Sequence, residues 1–248
     1  MEKINRNKLL TPAVKKIAVV LFVIIQTVLW FLIMFAKISV FNVSYFSLCL
    51  TFVYVIIFAS HDKISAFQIL AFAFTLIADY HLILLGGGDK VFAMVAFNVA
   101  QLFYALKTLA FANSRGEKLL QIILRVAGSI IGGVATILIV KPVQVLHVIS
   151  VIYYVNLLIS LVFSFIHFKG WLNQKLTAIG LLCFALCDVS IGFTFLIDIF
   201  SIPSGSILHS HTSLPVSMVN IFYYPSQLLL ALSVTAGISK NKNQKEEL

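Results

Sequence analysis

Asp79 and Asp188 stand alone inside long apolar stretches of a 248-residue chain. A carboxylate at the centre of a bilayer costs roughly 2.5–3.5 kcal/mol on the insertion scale, so two of them at similar depth need a reason. The chemistry open to such groups is proton transfer, and intramembrane carboxylates mark substrate pathways and proton relays. They can act together only if the elements that carry them bring them to one place, turned away from lipid.

Those elements are legible from composition. Hydrophobic residues make up 60 % of the chain and charged residues 11 %, against about 25 % charged in an ordinary soluble domain. A helix needs about 20 apolar residues to cross the hydrocarbon core. Eight segments meet that length, at 17–36, 41–59, 65–85, 91–112, 119–140, 143–167, 176–200 and 216–238. The prediction is an all-α polytopic membrane protein, with eight transmembrane helices in one bundle around a central polar chamber. No polar stretch is long enough for a soluble domain, so 1–248 reads as a single integral membrane unit ending in a short tail at 239–248. The first segment has a basic start, but its apolar run exceeds the usual stretch of about 7–15 residues in a signal peptide. It reads as a retained span. One loop, 201–215, is longer than the rest and holds His209 and His211.

Charge sets the orientation. With eight spans both termini share a side, and that side carries Lys3, Arg6, Lys8, Lys15, Lys16, Lys63, Arg115, Lys118, Lys169, Lys175, Lys240, Lys242 and Lys245. The opposite side has Lys37, Lys90 and Lys141. The excess of Lys and Arg predicts cytoplasmic termini. The net charge of +9 is spread over loops and tails rather than gathered in a patch, which excludes a nucleic-acid partner. Abundant Lys, Asn, Ile and Phe fit a bacterium with an AT-rich genome, hence a bacterial plasma membrane.

Spans three and seven both run outward. Counted from Lys63 and Lys175 at about 1.5 Å per residue, Asp79 and Asp188 lie about 18–24 Å from the cytoplasmic face. Other polar groups occupy the same depth in stripes of helical period. Span eight carries Asn220, Tyr223, Tyr224 and Gln227, with Pro225 within the stretch as a candidate kink. Span four carries Asn98, Gln101 and Tyr104, continued by Lys107, whose stem is expected to snorkel to the interface. Span six offers Tyr153, Asn156 and Ser160 on one face and Tyr154 on the next, and span three offers Gln68, Thr75 and Asp79. One chamber lined by spans three, four, six, seven and eight accounts for all of these. The plainer alternative is structural glue, at about 0.6 kcal/mol per interhelical hydrogen bond. For the aspartates that alternative is weaker, because a neutral Asn would serve more cheaply. Spans three and seven each hold one Asp and spans four and eight each an amide–tyrosine stripe, as a four-plus-four duplication would give.

Other residues carry less. Cys49, Cys183 and Cys187 all fall in apolar runs and read as packing residues rather than a disulfide framework. Asp198 sits near the outer end of span seven. No His or Cys pair has metal-ligand spacing on one helix, so no metal site is expected. Gly86–Gly88 end span three as a turn and lack the Lys-Ser/Thr of a phosphate loop.

Taken in order along the chain, these motifs resemble the YhhN family of eight-span membrane proteins, which includes the lysoplasmalogenases. Span three reads Ala78-Asp79-Tyr80-His81-Leu82, and span four has Phe97-Asn98 followed by Gln101 and Tyr104. Span seven has Gly180, an apolar stretch and Cys187-Asp188, and span eight has Tyr223-Tyr224-Pro225-Ser226-Gln227. The chain departs from the family pattern at Ala78, where Gly is common, at Cys187, where Ser is common, and at Gln101, where His is common. The last change removes a titratable group.

The resemblance implies a hydrolase that cleaves the vinyl ether bond of lysoplasmalogens, giving a fatty aldehyde and a glycerophospho-base. It implies Asp79 and Asp188 as the catalytic pair, one as protonated acid and one as anion. Asn98, Gln101, Tyr104, Tyr154, Asn156, Tyr223, Tyr224 and Gln227 are then the candidate substrate-binding residues. The partner would be a lysophospholipid or another single-chain lipid, with no metal or organic cofactor. Two other readings use the same chamber: a proton-coupled transporter and a non-catalytic lipid-binding protein. Transporters often break helices at the site, and spans three and seven contain no Pro.

Overall fold

A computed structural model describes residues 12–35, 40–59, 62–86, 89–199 and 213–236. Residues 201–212 with His209 and His211, Gly87 and Gly88, the side chain of Asp198 and the 239–248 tail lie outside these described residues. Among the described residues the protein is helical, without strands. The helices are α1 (Pro12–Phe35), α2 (Val40–Phe58), α3 (Lys63–Asp79), α4 (Lys90–Phe111), α5 (Arg115–Ile139), α6 (Val145–Ile166), α7 (Leu172–Ile199) and α8 (Ser213–Ala236). Each coincides with one of the eight expected spans. Six of them are long and apolar enough to cross a membrane, and α2 adds a shorter apolar stretch, Val43–Phe58. The protein is an all-α polytopic membrane bundle.

Polar loop residues start several of the helices. The Asp62 carboxylate accepts from the Ser65 N–H at 2.6 Å, Asp89 from Phe92 N–H at 2.9 Å, and the Ser114 hydroxyl from Glu117 N–H at 3.1 Å. Each satisfies one of the amide donors that a helix start leaves without an intrahelical partner.

Five helices form the inner ring. α3 packs on α4, α4 on α6, α6 on α7 and α7 on α8, and α8 touches α3 to close the circuit. α2 covers the seam between α3 and α8, α1 lies outside on α2 and α8, and α5 lies outside on α6. The five ring helices are the ones whose polar stripes implied a shared interior. The outer two turn apolar side chains such as Ile24, Val28, Ile131 and Leu138 away from the protein, as lipid-facing helices must.

The most extensive contact is between α7 and α8, and Gly180 makes it possible. A Cβ at Gly180 would stand 2.8 Å from Leu230 Cγ and 3.2 Å from the Leu230 backbone nitrogen. Leu230 and Leu181 at this crossing are fully buried.

α3 does not continue as one α-helix to residue 85. Immediately after Asp79 it widens into a π turn, Tyr80–Leu84, with the Leu85 N–H bonded to the Tyr80 carbonyl at 3.1 Å. The backbone stays hydrogen-bonded through the wide turn, so the helix is altered in pitch rather than unwound. Such turns recur at functional sites. α7 runs through Asp188 without a break.

Candidate functional site

The ring brings the two carboxylates together, each gripped by a phenol from a different wall. The Tyr223 hydroxyl, on α8, donates to Asp79 Oδ2 on α3. The Tyr153 hydroxyl, on α6, donates to Asp188 Oδ2 on α7 at 2.5 Å. Asp79 is buried, whereas Asp188 is only half-buried. Asp188 is near enough to Asp79 to act on it electrostatically.

Aromatic rings occupy the space around the pair. Phe184 on α7 packs tilted against Tyr223 at 5.9 Å between centroids and edge-on to Tyr104 at 6.5 Å. Phe97 on α4 lies 5.9 Å from Tyr153 and 6.4 Å from Phe184. Tyr224 meets Tyr223 edge-to-face at 5.7 Å. Cys187 is buried, and both aspartates lie within its electrostatic range. Charge at this site is therefore bordered by π faces and phenol dipoles, which strengthens each polar contact.

Several polar atoms here have no partner within the protein. Gln101 is 1 % exposed, and both its amide nitrogen and its amide oxygen are unpaired. The Tyr104 hydroxyl, Thr75 Oγ1, Gln68 Nε2, Gln227 Oε1 and Ser160 Oγ share that condition. Tyr104 lies beside Gln68 and Thr75, and Gln101 beside Tyr153, without hydrogen bonds of good geometry. Buried orphans cost about 1–3 kcal/mol each. Those of Gln68, Thr75, Tyr104 and Gln101, on α3 and α4 beside Tyr153, mark a place built to meet polar atoms supplied from elsewhere.

The sequence-derived candidates divide into two groups. Asp79, Asp188, Gln101, Tyr104, Tyr223 and Gln227 face the ring interior described above, whereas Tyr224 meets Tyr223 edge-to-face and turns toward α1 on the outside of the ring. Asn98 and Asn156 are committed elsewhere. Asn98 Nδ2 donates to the Met94 carbonyl at 2.9 Å and the Ile149 carbonyl at 3.1 Å, at the α4–α6 seam. Asn156 faces α5, donating to the Ile152 carbonyl at 2.9 Å and to Ser129 Oγ at 3.3 Å. Of the two adjacent tyrosines on α6, the one bonded to a carboxylate is Tyr153. Tyr154 is half-buried and packs against the core, within electrostatic range of Asp188. The stripe that contains Tyr153 was visible in the sequence, but nothing there said which tyrosine would meet Asp188.

Lys107 departs most from expectation. It does not snorkel outward. Its side chain is 2 % exposed, and Nζ donates to Gln68 Oε1 at 2.6 Å and Ser233 Oγ at 2.7 Å. Neutral acceptors on α3 and α8 hold the amine inside the bundle. Arg125, on α5, is likewise drawn inward, donating to the Asn156 carbonyl at 2.9 Å and Thr108 Oγ1 at 3.1 Å. At one end of the bundle His167 Nε2 lies 2.5 Å from Glu117 Oε1, tying the end of α6 to the start of α5.

The fold and site together define a helical membrane bundle with a phenol-gripped pair of interior carboxylates. Residues 40–234, which hold both aspartates and both tyrosines, match the YhhN family, and the chain belongs to that family. No curated protein and no solved structure gives a significant match.

Proposed function

We propose that this protein is an intramembrane hydrolase that cleaves the vinyl ether bond of lysoplasmalogen-type lysophospholipids. The observation that carries the reading is the pairing of Asp79 and Asp188 inside one ring, each held by its own phenol donor. Family membership supports the same substrate class.

A vinyl ether hydrolyses by protonation at its β-carbon, which leaves an oxocarbenium ion. Water adds to the α-carbon and loses a proton, giving a hemiacetal. The hemiacetal collapses to a fatty aldehyde and a glycerophospho-base with a free hydroxyl. The reaction consumes one water and returns the proton that began it. It asks for one carboxyl that carries a proton and one carboxylate that steadies the cation and activates water. Neighbouring carboxyls in a low-dielectric site divide in that way, because both do not ionise together. Glycosidases apply the same division to a similar cation. Tyr223 and Tyr153 fix the two carboxyls in place. Gln101, Tyr104 and Gln227, with unpaired buried polar atoms, are suited to orient water and the glycerol oxygens.

Transport of protons through the same interior is the second reading, and the π turn after Asp79 is the observation in its favour. The continuous hydrogen bonding of that turn and the unbroken α7 favour the enzyme. In this reading the protein lies in a bacterial plasma membrane with both termini cytoplasmic.

The experiment is direct. Purified protein in detergent is given lysoplasmalogen, and aldehyde release is followed with an NADH-linked dehydrogenase. Asp79→Asn and Asp188→Asn are each expected to cost at least ~100-fold, the low end for a general acid–base group. Turnover that survives either change would remove that residue from the chemistry. A parent protein inert on vinyl ether, ether and ester lysolipids would overturn the hydrolase reading.

A further inference from the structure

A groove of about 200 Å³ lies on the outside of the ring between α1 and α8, lined by Gln26, Thr27, Trp30, Tyr224, Pro225 and Leu228. We propose that the groove seats the hydrocarbon chain of a single-chain lipid, with the lipid's polar end directed toward Tyr223 and Asp79. The inference rests on the hydrolase reading for its substrate class, but the groove is argued from its own walls.

Three observations favour a hydrocarbon chain as occupant. First, the polar groups along α1 are already spent. Gln26 Nε2 donates to the Ser47 carbonyl and to Thr51 Oγ1, both at 3.0 Å, and its Oε1 accepts from Ser47 Oγ at 2.5 Å. Thr27 Oγ1 donates to the Val23 carbonyl at 2.8 Å, and Trp30 Nε1 to the Asn220 carbonyl at 3.2 Å. A wall whose donors are satisfied from within gives a phosphate or a sugar no new hydrogen bond and suits hydrocarbon. Second, the groove opens beside the lipid-facing side of α1, where Ile24, Val28 and Phe31 are exposed. A chain already dissolved in the bilayer reaches it laterally. Third, one of its walls packs directly against the site. Tyr224 lines the groove and meets Tyr223 edge-to-face, and Tyr223 donates to Asp79. At about 200 Å³ the space is below the roughly 300–1,000 Å³ of pockets for drug-sized ligands, which fits one acyl segment better than a two-chain lipid.

The test reads binding without turnover. The chain has two tryptophans, Trp30 and Trp171, so Trp171→Phe leaves Trp30 as sole reporter. A brominated acyl lysophosphatidylcholine, which has no vinyl ether to cleave, is titrated into this variant in detergent. The expected result is saturable quenching of Trp30, reversed by excess unbrominated lysophosphatidylcholine. Adding Thr27→Phe, which fills the groove, is expected to weaken the apparent affinity at least ~10-fold, about 1.4 kcal/mol. Should that variant fold poorly, the competition arm alone decides. Quenching that follows bromolipid mole fraction without saturating, and that unbrominated lipid reverses only in proportion to dilution, is an annular contact and overturns the proposal. Saturable quenching in a protein that releases no aldehyde keeps the groove and removes the hydrolase. Aldehyde release with unsaturable quenching does the reverse.

Discussion

Tyr223 on α8 donates its phenol proton to Asp79 on α3, joining residues 144 positions apart. Tyr153 and Asp188 repeat the arrangement on the opposite wall, but there the carboxyl is only half-buried. The two bonds should therefore differ in what their loss does. A hydrogen bond to a charged group contributes about 1.5–3 kcal/mol. Tyr223→Phe is expected to lower unfolding stability in detergent by an amount in that range and to slow aldehyde release by roughly tenfold or more. Tyr153→Phe should slow release similarly with a smaller stability loss, since Asp188 is the less buried of the two carboxyls. Equal stability losses in the two variants would contradict the difference in burial.

Asn98 and Asn156 supply the opposite expectation. Their amides are committed to the backbone carbonyls of Met94, Ile149 and Ile152. Asn98→Ala and Asn156→Ala should each cost about 0.6 kcal/mol of stability, near the mean for interhelical hydrogen bonds in membranes. Kinetics should stay within about threefold of the parent, a change of under 1 kcal/mol. A large rise in KM from either variant would return that residue to the substrate site.

Lys107 and Gln68 should be energetically coupled. Gln68→Leu leaves the buried Lys107 Nζ with Ser233 as its remaining bonded acceptor, and leaving a buried polar group unsatisfied costs about 1–3 kcal/mol. In a Lys107→Met background the same change should cost much less. A double-mutant cycle read by denaturant unfolding is expected to give at least about 1 kcal/mol of coupling. Additive losses would show that Lys107 finds another acceptor.

At Gly180 α7 packs closely on α8. A methyl group there meets both the Leu230 side chain and its backbone, so Gly180→Ala should cost about 1–3 kcal/mol, as overpacking does. Because α7 carries Asp188 and α8 carries Tyr223, part of the loss should appear as slower turnover. Thermal unfolding and aldehyde release measured on one preparation check both. Gly192 serves as the comparison, since a Cβ there meets nothing within 4 Å; Gly192→Ala should leave both readouts near the parent's.

How much of this was legible in the sequence follows from what each interaction requires. Hydropathy marked the eight helices because a span must be apolar over its own length, which is a local property. Helical period put Asp79 with Gln68 and Thr75, and Tyr223 with Gln227, because a stripe is also local. Asp79 and Asp188 declared themselves interior because a carboxylate cannot face acyl chains. The choice between Tyr153 and Tyr154 was out of reach: neighbouring positions differ by a rotation of about 100°, and their absolute setting depends on how α6 sits against α7. Lys107 was read as snorkelling because its acceptors, Gln68 and Ser233, lie on two other helices. The π turn after Asp79 shifts the register of the residues beyond it, and no composition signal announces it.

The chain by itself determined that it is a helical membrane protein, and which two side chains were too costly to be incidental, since both follow from the transfer of residues out of water. Only the packing of the helices decided that each carboxylate meets a phenol, that Asn98 and Asn156 turn to other seams, and that Lys107 stays inside. Partners across a helix interface are fixed by the offsets and rotations of whole helices, to which residues from the entire chain contribute.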